Sequence, residues 1–273
     1  MTEANIVLKS ITVFVFFALL FSVSCATKQS ADLSNGDWVD LTYDFSSDTI
    51  YWVTAEPFTR TTVAEGKTDK GYFYSAYNFS AAEHGGTHID APVHFAESGK
   101  KLDELPLTQL IAPAIKIDVS DKAAANRDYL ISADDIKNWE SQNGKIPEWS
   151  IVLLQTGFGK FWPDKKSYLG TDQRGADAVK ELHFPGLDPA AAKWLVENRK
   201  IKAVGIDTAS IDYGQSTEFG SHVALMTNNI PAFENVANLD KLPVKGFHIF
   251  ALPMKIKGGS GGPLRIVAFL PKG

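Results

Sequence analysis

The segment His84-Gly85-Gly86-Thr87-His88-Ile89-Asp90-Ala91-Pro92-Val93-His94 gathers three of the chain's six histidines and a carboxylate into one short run. Two glycines and a proline inside it exclude a helix, because glycine loses most backbone freedom there and proline removes a backbone donor. An extended path suits the run better. On such a path side chains alternate between faces, so His84, His88, Asp90 and His94, all at even positions, share one face. Gly85-Gly86 leaves that face free to bend around an ion. Neutral imidazoles beside an ionised Asp are a ligand set for zinc, manganese or iron. One histidine in such a setting usually serves packing, whereas three on one face with an acid among them point to a divalent metal.

The rest of the composition is globular: 44% hydrophobic and 22% charged, with 17 Phe and 6 Trp. A chain of 273 residues can bury one large core or two small ones. The net charge of −5 lacks the basic excess that neutralising phosphates demands, so no nucleic-acid partner is expected.

The N-terminus reads separately. Lys9 precedes an apolar run from Ile11 to Phe21, followed by Ser22-Val23-Ser24-Cys25-Ala26. A basic start, a short apolar stretch and small residues after it form an export signal, residues 1–25. The run is shorter than the roughly 20 residues a membrane span needs. Cys25 is the chain's one cysteine and stands where a lipoprotein carries its lipid, although Ser22 occupies the place where Leu is usual. Three outcomes stay open: a periplasmic protein lipid-anchored at Cys25, cleavage after Ala26 and release, or an uncleaved anchor. In the first two the mature domain has no thiol for a disulfide or a nucleophile. Residues 26–36 form a polar tether, and 37–273 the folded domain.

Within that domain the pattern predicts strands over Val39–Phe45, Gly71–Phe79, Ile115–Val119, Ser150–Gln155, Ile201–Ile206, Phe247–Pro253 and Leu264–Leu270. Ser132 caps one helix, with Ile136 and Trp139 on its apolar face, and Asp188 caps another through Asn198, with Pro189 in its first turn. Strands dominate, giving an α/β or α+β domain around a mostly buried mixed sheet.

Further ligands must come from His183, His222, His248 or distant acids. His222 falls in a polar loop, Glu218-Phe219-Gly220-Ser221-His222, and Glu234 sits among Ile230, Pro231, Phe233 and Val236. A carboxylate in apolar company is costly unless paired, yet on sequence alone Glu234 is as readily an exposed loop acid. His248 alternates within a strand and reads as structural, while His183 either pins a turn or touches substrate.

The pattern H-x-G-T-H-x-D-x-P-x-H-F, met from His84 to Phe95, resembles the signature of the metal-dependent cyclase superfamily, which includes bacterial kynurenine formamidases and isatin hydrolases. The likeness extends through Asp40-Leu41-Thr42, Val152-Leu153-Leu154-Gln155-Thr156-Gly157, Gly205-Ile206-Asp207-Thr208, Ser210-Ile211-Asp212, the block from His222 to Asn235, and Gly261-Gly262-Pro263-Leu264-Arg265. It implies a single swivelling β/β/α domain, usually a homodimer. It also implies His84, His88 and Asp90 as ligands of a primary metal, with His94 as acid/base catalyst. His222 and Glu234 complete a second position bridged by Asp90, or act behind the ligands if one ion binds.

The expected activity is hydrolysis of an amide, lactam or ester carbonyl in a small aryl substrate, since a divalent ion lowers the pKa of water from about 15.7 to about 7. Tyr51, Trp52 and Phe95, with Phe158 and Trp162, are candidates for the wall of the substrate pocket, with plain core packing the alternative for each. Two other classes remain: a lyase or cyclase that stabilises an enolate, and a non-catalytic binding lipoprotein, for which His94 would be superfluous.

Overall fold

The computed structural model describes residues 32–272, so the expected export signal and all of the tether before Asp32 lie outside the described residues. Twelve strands are distinguished among the described residues: β1 (Gly36–Asp40), β2 (Thr59–Lys67), β3 (Phe73–Ser80), β4 (His88–Asp90), β5 (Ile111–Asp118), β6 (Leu130–Ile131), β7 (Ile151–Gln155), β8 (Gly186–Leu187), β9 (Ala203–Ile206), β10 (Ala232–Glu234), β11 (Lys245–Pro253) and β12 (Gly261–Pro271).

Eight of them form one mixed sheet in the order β1-β12-β11-β5-β7-β9-β10-β4. The long β12 closes it: one edge pairs with β11, while the other pairs first with β4 and then with β1. The result is barrel-like, which removes most open strand edges. β5, β7, β9 and β10 run parallel, and the remaining pairs are antiparallel.

Alternation along these strands builds two cores. Leu153 of β7 points inward with Ala114, Ala203, Phe233, Ile249 and Leu264. Val152 and Leu154 point outward, against Ile136 and Trp139 of the helix Ala133–Asn143 and Leu195 of the helix Pro189–Asn198. Burial on both faces is why β7 reads as one continuous apolar run. Both helices start where their caps predict: Ser132 accepts the Asp135 N–H, and Asp188 accepts the Ala190 N–H.

Several expectations shift. The first strand ends at Asp40 instead of reaching Phe45, because the Asp40 carboxylate captures the Thr42 N–H and turns the chain. β2, unforeseen, pairs with β3 as a separate two-stranded ribbon; its Thr59-Arg60-Thr61-Thr62 start has no apolar alternation to reveal it. The stretch around His222 is a helix, Gly220–Met226, and not a polar loop. The Ser221 and His222 N–H groups at its start donate to Asp212, ten residues back from His222, so no local cap marks it.

Candidate metal centre

β4 supplies His88 and Asp90, and β10 sets Glu234 directly opposite His88. Such directly opposed residues share one face of an antiparallel pair, so two acids and an imidazole meet at the barrel's edge. His84 reaches them by a tight turn. Gly86 there has φ +57°, and a Cβ on it would meet Phe45 and Thr49 at 2.8 and 2.9 Å. At Gly85 a Cβ would lie 2.0 Å from the Tyr51 ring, so that ring packs directly on the backbone. The expected extended run is therefore only three residues of strand; Pro92–His94 forms a short 3-10 turn, yet all four polar side chains still converge.

His84 Nδ1 lies 2.5 Å from Asp90 Oδ1. His88 Nε2 lies 3.2 Å from Asp90 Oδ1 and 3.4 Å from Glu234 Oε2. His222 Nε2 lies 3.2 Å from both Asp90 Oδ2 and Glu234 Oε1. Two overlapping ligand sets result, His84–His88–Asp90 and Asp90–His222–Glu234, each with its atoms within 4.8 Å of one another. Asp90 belongs to both.

Outer contacts orient the rings. His88 donates from Nδ1 to the Gly86 carbonyl (2.9 Å), which also accepts the Asn235 amide (2.7 Å). His222 Nδ1 sits 2.6 Å from Asp212 Oδ2, a carboxylate–histidine pairing common behind metal ligands. The Ile211 N–H donates to Glu234 Oε1 at 2.7 Å. Each of these rings thus turns a nitrogen inward, and the donor set fits a divalent ion holding imidazole and carboxylate.

Electrostatics point the same way. Burial alone would raise Asp90, but His88, His84 and His222 hold it well below the ordinary carboxylate range. Burial raises Glu234, and Asp90 beside it raises it further. Burial opposes charge on His88, yet Asp90 and Glu234 outweigh it and lift the imidazole to about 9. His222 is likewise raised well above its usual value, against burial, by Asp212, Asp90 and Glu234. Two buried acids are thus neutralised by protons that a cation can replace.

His94 completes the group without joining either ligand set. Its ring stacks on His84 with centroids 3.8 Å apart and meets Phe95 edge-on at 4.6 Å. Burial, then repulsion from His84, His222 and His88, pulls it below the ordinary imidazole range against the attraction of Asp90. The residue nonetheless keeps an exposed edge. A cavity of about 300 Å³ opens over the cluster, walled by Tyr51, Trp52, Phe95 and Phe219. Phe158 and Trp162, candidates for that wall, pack elsewhere: Phe158 in a separate apolar core and Trp162 stacked on Tyr43 at 4.0 Å. His183 pairs with Asp128 and His248 lies on β11; neither belongs to the ligand sets. The sequence reading missed Asp212, Asn235 and Phe219 as site residues. Asp212 and Asn235 fall inside blocks that carry the resemblance, Ser210-Ile211-Asp212 and His222 to Asn235, whereas Phe219 reads only as part of a polar loop.

The Cyclase family profile matches residues 39–213. An isatin hydrolase of Roseibium aggregatum is 36% identical over 220 residues, covering 77% of this chain and 80% of that protein. A kynurenine formamidase of Bacillus cereus is 27% identical over 86% of this chain and 98% of its own length. The crystal structure of an isatin hydrolase bound to the product analogue thioisatinate superposes with a TM-score of 0.79 at 31% identity, over 88% of this chain and 94% of that one.

Because His88 and His222 hold protons in the metal-free cluster, Zn(II) entry must expel them. Calorimetric titration of the metal-free chain in buffers of different ionisation enthalpy should show net proton release. Affinity should rise from pH 6 to pH 8, roughly tenfold per unit for each proton displaced. A flat affinity without proton release would contradict this picture.

Proposed function

The chain belongs to the Cyclase family, and on that premise we propose that it is a metal-dependent hydrolase cleaving the carbon–nitrogen bond of a small aryl amide or lactam. The observation that carries the reading is Asp90, buried and shared by two ligand sets at the floor of an aromatic-walled cavity. His84, His88, Asp90, His222 and Glu234 would hold zinc or manganese. A divalent ion there supplies Lewis-acid polarisation of the carbonyl and makes water more acidic.

The chain's own residues account for the remainder. Tyr51, Trp52 and Phe95 offer flat apolar surface to an aryl ring. The Tyr51 hydroxyl is buried without a hydrogen-bond partner among the described residues, and burial pushes its pKa up to about 12. It stays protonated at neutral pH. His94, unprotonated at neutral pH and open to the cavity, takes a proton from water as the new carbon–oxygen bond forms. It returns that proton to the nitrogen as the carbon–nitrogen bond breaks, leaving an amine and a carboxylic acid that releases its proton to become the carboxylate. A lyase would yield no such carboxylate, and no feature of the cavity favours that reading.

His94→Ala should lower turnover about 10²- to 10⁴-fold on isatin or N-formylkynurenine while metal content persists. Asp90→Ala should strip the metal. Loss of metal in the first variant would make His94 a ligand, and full activity in the second would end the metal-dependent reading.

We further propose a homodimer. The β2–β3 ribbon exposes Phe73 and Phe79 (65% and 57%), which strand alternation sets on one face, an apolar surface suited to a second copy. Light scattering should give twice the chain mass and Phe73→Ser should lower it; a wild-type monomer would refute the idea. For the N-terminus we propose export with Cys25 as lipid acceptor, supported by the apolar run and the chain's lone cysteine. Intact mass of the membrane-extracted protein should show acyl chains on Cys25, and an unmodified Cys25 or a product that begins after Ala26 would exclude the anchor.

A further inference from the structure

The hydrogen bonds behind His84 differ from those behind the other two rings. Ser260 Oγ lies 2.9 Å from His84 Nε2 and 2.8 Å from Glu83 Oε2. The same Glu83 oxygen accepts the backbone N–H of Ser260 (2.9 Å) and of Gly261 (3.3 Å). A hydroxyl has one proton to give, and the carboxylate oxygen is an acceptor. The serine proton therefore goes to Glu83, leaving only lone pairs toward His84. His84 Nε2 must donate, and Nδ1 is the nitrogen turned to Asp90. His88 and His222 use their Nδ1 outward and present Nε2 inward.

Burial explains why His84 needs this support. The side chains of His88 and His222 are 3% and 4% exposed and are gripped by packing, whereas His84 is 23% exposed. The Ser260-Gly261 backbone forms the wall behind the ring: a Cβ on Gly261 would fall 2.5 Å from His84 Cε1. His94 stacks on His84 in turn, so the plane set for one ring is passed to the other.

We propose that Glu83 and Ser260 are positioning residues, which lock His84 as an Nδ1 ligand and through its ring hold His94. The inference rests on the metal-dependent reading above. It is not a restatement of that reading, because neither residue is a ligand and neither lies in the cavity wall.

Ser260→Ala is a clean probe. Glu83 keeps both backbone N–H donors, and the Ala91 N–H still donates to the carbonyl of residue 260 at 2.8 Å. Metal-free full chain is titrated with Zn(II) against a competing chelator, and imidazole nitrogen shifts are read by ¹⁵N NMR. Ser260→Ala should weaken Zn(II) binding about 10- to 100-fold and mix the His84 tautomers, with metal-free thermal unfolding unchanged. Ser260→Thr, which keeps the hydroxyl, should restore most of the affinity, and Glu83→Gln should fall between. Wild-type affinity and an unaltered His84 tautomer in Ser260→Ala would overturn the inference while leaving the hydrolase reading intact. Failure of the wild-type chain to take up Zn(II) or Mn(II) would overturn both.

Discussion

Two carboxylates, Asp90 and Glu234, are driven below the protein surface and aimed at the same point, where three imidazoles meet them. Burying one unpaired charge is expensive, and burying two of the same sign together is worse. The arrangement persists only if positive charge is delivered to that point. Protons on His88 and His222 can supply it, and so can a cation. The choice between them links this chain's stability, pH response and chemistry.

The barrel makes that convergence possible. β4 is only three residues long, but it is held between β10 and β12, so neither Asp90 nor His88 can slide out of register. A one-residue slip would turn both side chains to the opposite face. The Gly85-Gly86 turn brings His84 round, and the helix beginning at Gly220 carries His222 in from the far side, tied by Asp212. Phe95 stacks on His222 at 4.4 Å, and Phe219 stands beside it, keeping the cavity side of the ring apolar.

Much of this was legible in the chain itself. β7 announces itself as an unbroken apolar run, and the two capped helices begin where Ser132 and Asp188 place them. The histidine segment declares a metal site because its spacing is local. What is hidden is hidden for a physical reason: Asn235 meets the Gly86 carbonyl and Ser260 meets His84 from 149 and 176 residues away, separations that no local pattern reports. The helix bearing His222 begins without a local cap, so it reads as loop. The β2–β3 ribbon escaped because an exposed strand need not alternate apolar with polar. The resemblance of the His222–Asn235 block to a known family located Glu234 where hydropathy alone could not decide.

X-ray absorption on the chain loaded with zinc, compared with its Asp90→Asn variant, tests the central claim most directly. The account predicts nitrogen and oxygen ligands at about 2.0–2.2 Å, with loss of the ordered ion in the variant. An ion held by other groups and unmoved by that substitution would contradict it.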